Sequence, residues 1–245
     1  MRTVAILTAA GSGTRLGSDR PKALVPLGGV PLVVHAARAL LGALPLDRLV
    51  VTAPPGAVDD VARALADAGV PGARGRAASL EVVRGGPSRQ ASVAAGLAAL
   101  AEAGLDAEDV VLVHDAARPL VGHATIRRVV EGARRHGAVV PGLPVADTVK
   151  AVDQHGRVVG TPERSTLRAV QTPQGFTYAV LRRAHAVGAH RASDEATAAT
   201  DDAGLVESMG LDVHVVVGDP RGLKVTTTAD LETAERLLAH AEVAR

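Results

Sequence analysis

The chain has 245 residues, 47% of them hydrophobic, with a formal net charge of +1. That is enough apolar length for one sizeable α/β domain, and the charge shows no commitment to nucleic acid or membrane. Phe176 and Tyr178 are the only aromatics, which disfavours a basic surface with stacking rings, and the lack of cysteine excludes disulfides, thiolate metal sites and cysteine nucleophiles.

In chain order, a strand is expected at 4–8, then a glycine-rich loop and a helix at 32–41. A strand at 48–52, a helix at 58–68 and an Ala-rich surface loop at 70–79 follow, then a strand at 80–84 and a helix at 89–102. A strand at 110–114, a helix at 124–136 and a strand at 138–140 come next. Beyond these lie a helix at 179–188, a strand at 213–217 and a helix at 229–243. This alternation predicts an α/β fold: a Rossmann-like, mostly parallel sheet with helices on both faces. Ligands of such sheets bind at the carboxyl ends of strands, near a topological switch point. From 145 to 170 the helical period is missing; two short runs flank Asp153-Gln154-His155-Gly156 and read as a projecting β-arm. A lone hairpin is marginal in water, so the arm is expected to pack on a second subunit. The whole chain, 1–245, reads as one domain. No apolar run approaches the ~18 residues of a membrane span, and Met1-Arg2-Thr3 leads straight into a strand, so the protein is expected to be cytoplasmic.

Of 27 basic residues only Lys22, Lys150 and Lys224 are lysines. Two of them sit where phosphate would bind, and lysine offers a compact point charge where arginine offers a wide fork. Lys22 closes the run from Ala9, Ala10, Gly11 and Gly13 through Arg15 and Gly17, directly after the first strand. The run fits neither a dinucleotide fingerprint, whose third glycine would fall one position earlier, nor a Walker loop, since Lys22 follows proline. What remains is a loop that can bring backbone N–H groups to phosphates, with Arg15 and Lys22 as charge donors. Lys224 lies in Gly222-Leu223-Lys224-Val225-Thr226, after the last strand.

Two further segments follow strands. His114-Asp115-Ala116-Ala117-Arg118-Pro119 offers an Asp able to ligate Mg²⁺ or hold ribose hydroxyls, with His114 read as structural. Gly85-Gly86-Pro87-Ser88-Arg89-Gln90-Ala91-Ser92 opens a helix, with Ser88 as an N-cap and Ser92 able to read a base edge. Thr148 on the arm, Arg164 and Thr172-Pro173-Gln174 are additional candidates, and Thr200-Asp201-Asp202 opens a helix, where capping explains it as well as function does. Lys150 reads as solvated.

In this order and spacing, AAGSGTRLG…PK, HDAARP, PVADTVK, QTPQ and LKVT resemble the 2-C-methyl-D-erythritol 4-phosphate cytidylyltransferase family of the non-mevalonate isoprenoid pathway. The resemblance implies CMP transfer from CTP to 2-C-methyl-D-erythritol 4-phosphate, with Mg²⁺, in a homodimer whose arms interlock. It places transition-state stabilisers on Arg15 and Lys22, and positioning of the acceptor on Arg164 and Lys224, with Thr148 nearby on the arm. It places cytosine and ribose contacts on Ala9, Ala10, Gly11, Gly85, Ser92 and Asp115. The chain departs from many relatives at Gly222-Leu223, where Asn-Ile is common, and at Pro87, where Asp is common. The rival resemblances are a ribitol-5-phosphate cytidylyltransferase and a nucleotide-binding regulator without activity.

Overall fold

A computed structural model describes residues 1–11, 13, 20–70 and 79–243. The expected surface loop at 70–79 lies almost wholly outside the described residues. The chain begins with β1 (Thr3–Thr8), a small hairpin of β2 (Pro26–Leu27) and β3 (Val30–Pro31), and α1 (Leu32–Ala43). β4 (Arg48–Ala53), α2 (Val58–Asp67), β5 (Ser79–Arg84), α3 (Arg89–Ala101), β6 (Val110–Asp115), α4 (His123–His136) and β7 (Ala138–Pro144) continue the alternation. β8 (Ala151–Val152) and β9 (Val158–Gly160) form the arm, and β10 (Arg168–Val170) and β11 (Gln174–Thr177) return to the sheet. The chain closes with α5 (Tyr178–Val187), α6 (Asp202–Glu207), β12 (His214–Val217) and α7 (Thr228–Val243).

One eight-stranded sheet runs β10-β7-β11-β6-β1-β4-β5, with β12 on the outer side of β7. β6, β1, β4 and β5 are mutually parallel, and β12 is parallel to β7. β11 is antiparallel to both β6 and β7, and β10 is antiparallel to β7. β11 is absent from the strands expected on sequence. Its four residues include Gly175 and show no alternation, so only the gap between two parallel blocks defines it.

Side-chain period two divides the strands between two cores. Ala5, Leu7, Leu49, Val51 and Leu112 face α1, α2 and α4, whereas Val4, Ile6, Val50, Val111 and Val113 face α3, α5 and α6. With almost no aromatics, both layers are filled by Ala, Val and Leu, and Phe176 is the one phenyl ring, fully buried. A third cluster joins Val25, Leu27 and Leu32 to Val225 and Ala234, with Leu231, Leu237 and Leu238 packed against it, which ties α7 to the hairpin. Thus the segment carrying Lys224 is held close to the segment carrying Lys22.

The arm turns at Asp153, whose Oδ1 accepts the N–H groups of His155 and Arg157, with Gly156 at φ +79°. Val152, Val158 and Val159 on it are exposed. Among the described residues no helix is long and apolar enough to cross a membrane.

Candidate active site

The carboxyl ends of the parallel strands open onto a cleft of about 440 Å³. Thr8, Ala9, Ala10, Gly11, Gly13 and Lys22 line one wall, from β1 and the loop after it. Gly86, Pro87, Ser88, Arg89 and Ser92 form a second, Asp115, Ala116 and Ala117 the floor, and Lys224 and Thr226 a third wall, with Glu195 at the rim. This is the β1/β6 junction, where successive crossovers run to opposite sides of β1, as expected for a switch-point site.

Local chemistry fixes each wall. Ala9 donates its N–H to Thr52 O at 2.8 Å, so β1 stays in register to its last residue before the loop departs. Gly13 sits at φ +72°, and a Cβ there would lie 2.8 Å from Lys22 Cβ; the loop therefore presses on the lysine's own backbone. A Cβ on Gly85 would meet Ala10 Cβ at 2.8 Å, so close approach of the two loops requires that glycine. Ser88 caps α3 as its sequence position suggests, accepting from the Ala91 N–H at 3.0 Å. The Ser92 hydroxyl donates to Ser88 O at 2.9 Å and accepts from the Gly86 N–H at 3.2 Å. Its hydroxyl therefore helps shape the 85–88 loop, while Ser92 also lines the cleft.

The Lys224 segment is anchored from several sides. Val225 N–H donates to Ala117 O at 2.8 Å, and Arg118 donates to Gly222 O at 2.7 Å. The buried Gln171 amide brackets Asp219, donating to its carbonyl at 2.8 Å and accepting its N–H at 2.9 Å. Asp230 accepts from the N–H groups of Thr226 and Thr227, and Thr227 Oγ1 in turn accepts from the Asp230 N–H, a reciprocal cap at the start of α7.

Asp115 is the electrostatic centre. Its Oδ2 lies 2.8 Å from Lys224 Nζ and its Oδ1 3.0 Å from Arg89 Nε, while Thr8 Oγ1 approaches Oδ1 at 3.2 Å. Burial alone would raise its pKa, but Arg89 and Lys224 hold the carboxyl far below the usual range, so it is ionised. Burial likewise works against charge on Arg89, yet Asp202 and Asp115 keep its guanidinium protonated. Arg89 also donates through Nη1 to Asp202 at 2.8 Å. On sequence Arg89 stands within its motif without a role; an arginine opening a helix gives no signal of the two carboxylates it joins.

His114 is structural, as expected. Fully buried, it bonds Thr172 Oγ1 through Nδ1 at 2.9 Å and Arg118 O through Nε2 at 3.2 Å, and Thr172 Oγ1 also accepts the Asp115 N–H. Burial lowers its pKa to about 4, so the ring is neutral. The carbonyl contact then places the proton on Nε2, and the Thr172 hydroxyl donates to Nδ1.

The structure thus brings Ala9, Ala10, Gly11, Gly13, Lys22, Ser92, Asp115 and Lys224 to one cleft, with Gly85 buried behind its wall and Thr172 behind its floor. Arg15 lies outside the described residues. Thr148 and Arg164 are exposed on the arm segment, away from the cleft lining of their own chain; Arg164 Nη1 donates to Ala146 O at 2.6 Å. Thr200 is exposed and also absent from that lining, and the cap of α6 is Asp201, which accepts from the Gly204 N–H at 3.0 Å. Lys150 is exposed and donates to Thr161 Oγ1 at 2.8 Å.

A mostly parallel α/β sheet with a glycine-rich loop after its first strand, and two lysines from opposite ends of the chain lining one cleft with a buried aspartate on its floor, defines a nucleotide-binding enzyme of phosphoryl chemistry. The family model of IspD, 2-C-methyl-D-erythritol 4-phosphate cytidylyltransferase, matches residues 3–240, and the chain belongs to that family. A protein of that name from Nocardia farcinica is 49% identical over 237 residues, covering 96% of this chain and 93% of its own. The crystal structure of the enzyme of that name from Thermus thermophilus superposes with a TM-score of 0.72 at 35% identity, covering 98% of this chain and all of its own. A 4-diphosphocytidyl-2C-methyl-D-erythritol synthase structure from Anaerococcus prevotii gives a TM-score of 0.78 at 25% identity, covering 97% of this chain and 98% of its own. Members of the family are cytidylyltransferases, and this chain is a nucleotidyltransferase.

Proposed function

We propose that the protein transfers CMP from CTP to 2-C-methyl-D-erythritol 4-phosphate, releasing pyrophosphate, in non-mevalonate isoprenoid biosynthesis. The observation that carries this reading is the convergence of Lys22, Lys224 and Asp115, from three separate segments, on one cleft. An oxygen of the acceptor's phosphate attacks the α-phosphorus of CTP; the new P–O bond forms as the bond to the β-phosphate oxygen breaks, and pyrophosphate leaves with the electron pair. The attacking oxygen is already anionic, so no proton needs removal. This suits a cleft whose described lining contains no histidine. The obstacle is repulsion between two anions, and fixed cations that stabilise the developing charge answer it.

Lys22 and Lys224 are read as those cations, joined by Arg15, and the loop backbones at 9–13 and 85–88 as the cradle for phosphates and base. A divalent ion fits this donor set. Among the described residues there is no cluster of three or more ligating side chains, and Mg²⁺ on nucleotides is ordinarily held by one or two carboxylates plus phosphate oxygens. Asp115, on the floor of the cleft, is the carboxylate that would hold it. When bound, Mg²⁺ would neutralise phosphate charge.

The exposed valines of the arm support a homodimer in which Thr148 and Arg164 reach the partner's cleft and bind the acceptor phosphate. A substrate as charged as CTP fits a cytoplasmic site. The test is pyrophosphate release from CTP with 2-C-methyl-D-erythritol 4-phosphate against ribitol 5-phosphate. Turnover with the former alone is expected; preference for the latter, or CTP binding without turnover, refutes the reading.

A further inference from the structure

The charges of the cleft continue inward along a path that the reaction itself does not use. Arg89 grips Asp115 Oδ1 through Nε at 3.0 Å and reaches through Nη1 to Asp202 Oδ2 at 2.8 Å. Asp202, 1% exposed, accepts His185 Nε2–H on its other oxygen at 2.8 Å, and the His185 side chain is itself 5% exposed. Neither Asp202 nor His185 is among the described residues that line the cleft.

Asp202 is a rigid anchor. It opens α6, and its N–H and that of Ala203 both donate to Gln174 Oε1 at 3.1 Å. Burial would favour its neutral form, but Arg89 and then His185 keep it ionised. His185 is an odd choice for packing alone. Its Nδ1 is buried with no partner among the described residues, and an unmade buried hydrogen bond is destabilising. Among the described residues its one polar side-chain contact is the bond to Asp202, which fixes the direction of that carboxylate. A planar guanidinium held at both ends by carboxylates has no freedom to swing, so the orientation of Asp115 depends on the far end of the fork.

We infer that Asp202 and His185 are positioning residues, which hold Arg89 and through it set the orientation in which the Asp115 carboxylate meets the nucleotide. The inference rests on reading the cleft as the CTP site.

A double-mutant cycle tests it, since groups acting through one another lose additivity. Asp202→Asn should lower kcat/KM for CTP by about 10- to 100-fold, the range typical of outer groups that orient a ligating side chain. In an Asp115→Asn background the same change should cost less than about threefold, because the carboxylate it positions is gone. Equal losses in both backgrounds would overturn the inference. Should Asp202→Asn fail to fold, His185→Leu runs the same cycle, and His185→Gln, which keeps a donor, should recover most of the loss; no recovery counts against the relay. Wild-type enzyme without CTP turnover would refute the functional reading instead. In that event a crystal structure of His185→Leu decides the relay by itself: a displaced Arg89–Asp115 pair supports it, and an unmoved pair overturns it.

Discussion

Replacing Lys224 by alanine separates catalysis from folding. The Lys224 side chain is 43% exposed and its Nζ lies 2.8 Å from Asp115 Oδ2. An ion pair so open to solvent contributes no more than about 1 kcal/mol to stability. Asp115, moreover, keeps its 3.0 Å contact with Arg89 when the lysine is gone. The same ammonium facing a developing phosphate charge should matter far more: removing one preorganised oxyanion donor costs about 3–4 kcal/mol, or roughly 10²–10³ in rate. Lys224→Ala should therefore stay folded, with an unfolding free energy within about 1 kcal/mol of wild type, while pyrophosphate release falls by roughly 10²–10³. Urea unfolding and a coupled pyrophosphate assay on the same preparation give both numbers. Activity within about threefold of wild type would refute the assignment, as would a loss that merely followed the unfolded fraction.

Three further outcomes follow from the geometry. Lys22→Arg should lower turnover nearly as far as Lys22→Ala, roughly 10²-fold, because a wide planar fork does not replace a compact point charge against phosphate; wild-type rates in the arginine variant would show that a compact charge is not the reason for lysine. Buried His114, with its pKa lowered to about 4 from an ordinary value of 6.5, binds fewer protons folded than unfolded between those limits. Its contribution is therefore complete above about pH 6.5 and declines by up to about 3 kcal/mol as the pH falls to about 4, a dependence that His114→Asn should lack in urea unfolding at each pH; equal slopes in the two proteins would contradict this. In the proposed homodimer, mixing Lys22→Ala with Arg164→Ala protein should restore activity as subunits exchange, since one cleft of each mixed dimer then has both groups intact; no recovery after demonstrated exchange would place Arg164 outside the partner's site.

The parallel half of the sheet and its helices were readable because Val-rich strands and Ala/Leu-rich helices change period cleanly at Gly and Pro. β11 was not, since Gln174 to Thr177 carries no pattern of its own and takes its place from β6 and β7. The small β2–β3 hairpin escaped for the same reason: two residues a strand leave nothing to count. In the site, Lys22, Lys224 and Asp115 were legible as rare or charged residues just beyond strands. Arg89 and Asp202 needed the structure, because the ion pair that joins them spans 113 positions of sequence and neither residue is unusual for a helix start. Ser92 shows the converse: its position in a glycine-rich motif was visible, but not that its hydroxyl also holds the loop.

The most direct measurement is a crystal structure of the protein with CTP and Mg²⁺. The triphosphate should lie between the side chains of Lys22 and Lys224, with the base against the 85–88 backbone and Asp115 at the sugar or the metal. A nucleotide bound elsewhere, or either ammonium group turned away from its phosphates, would contradict the account.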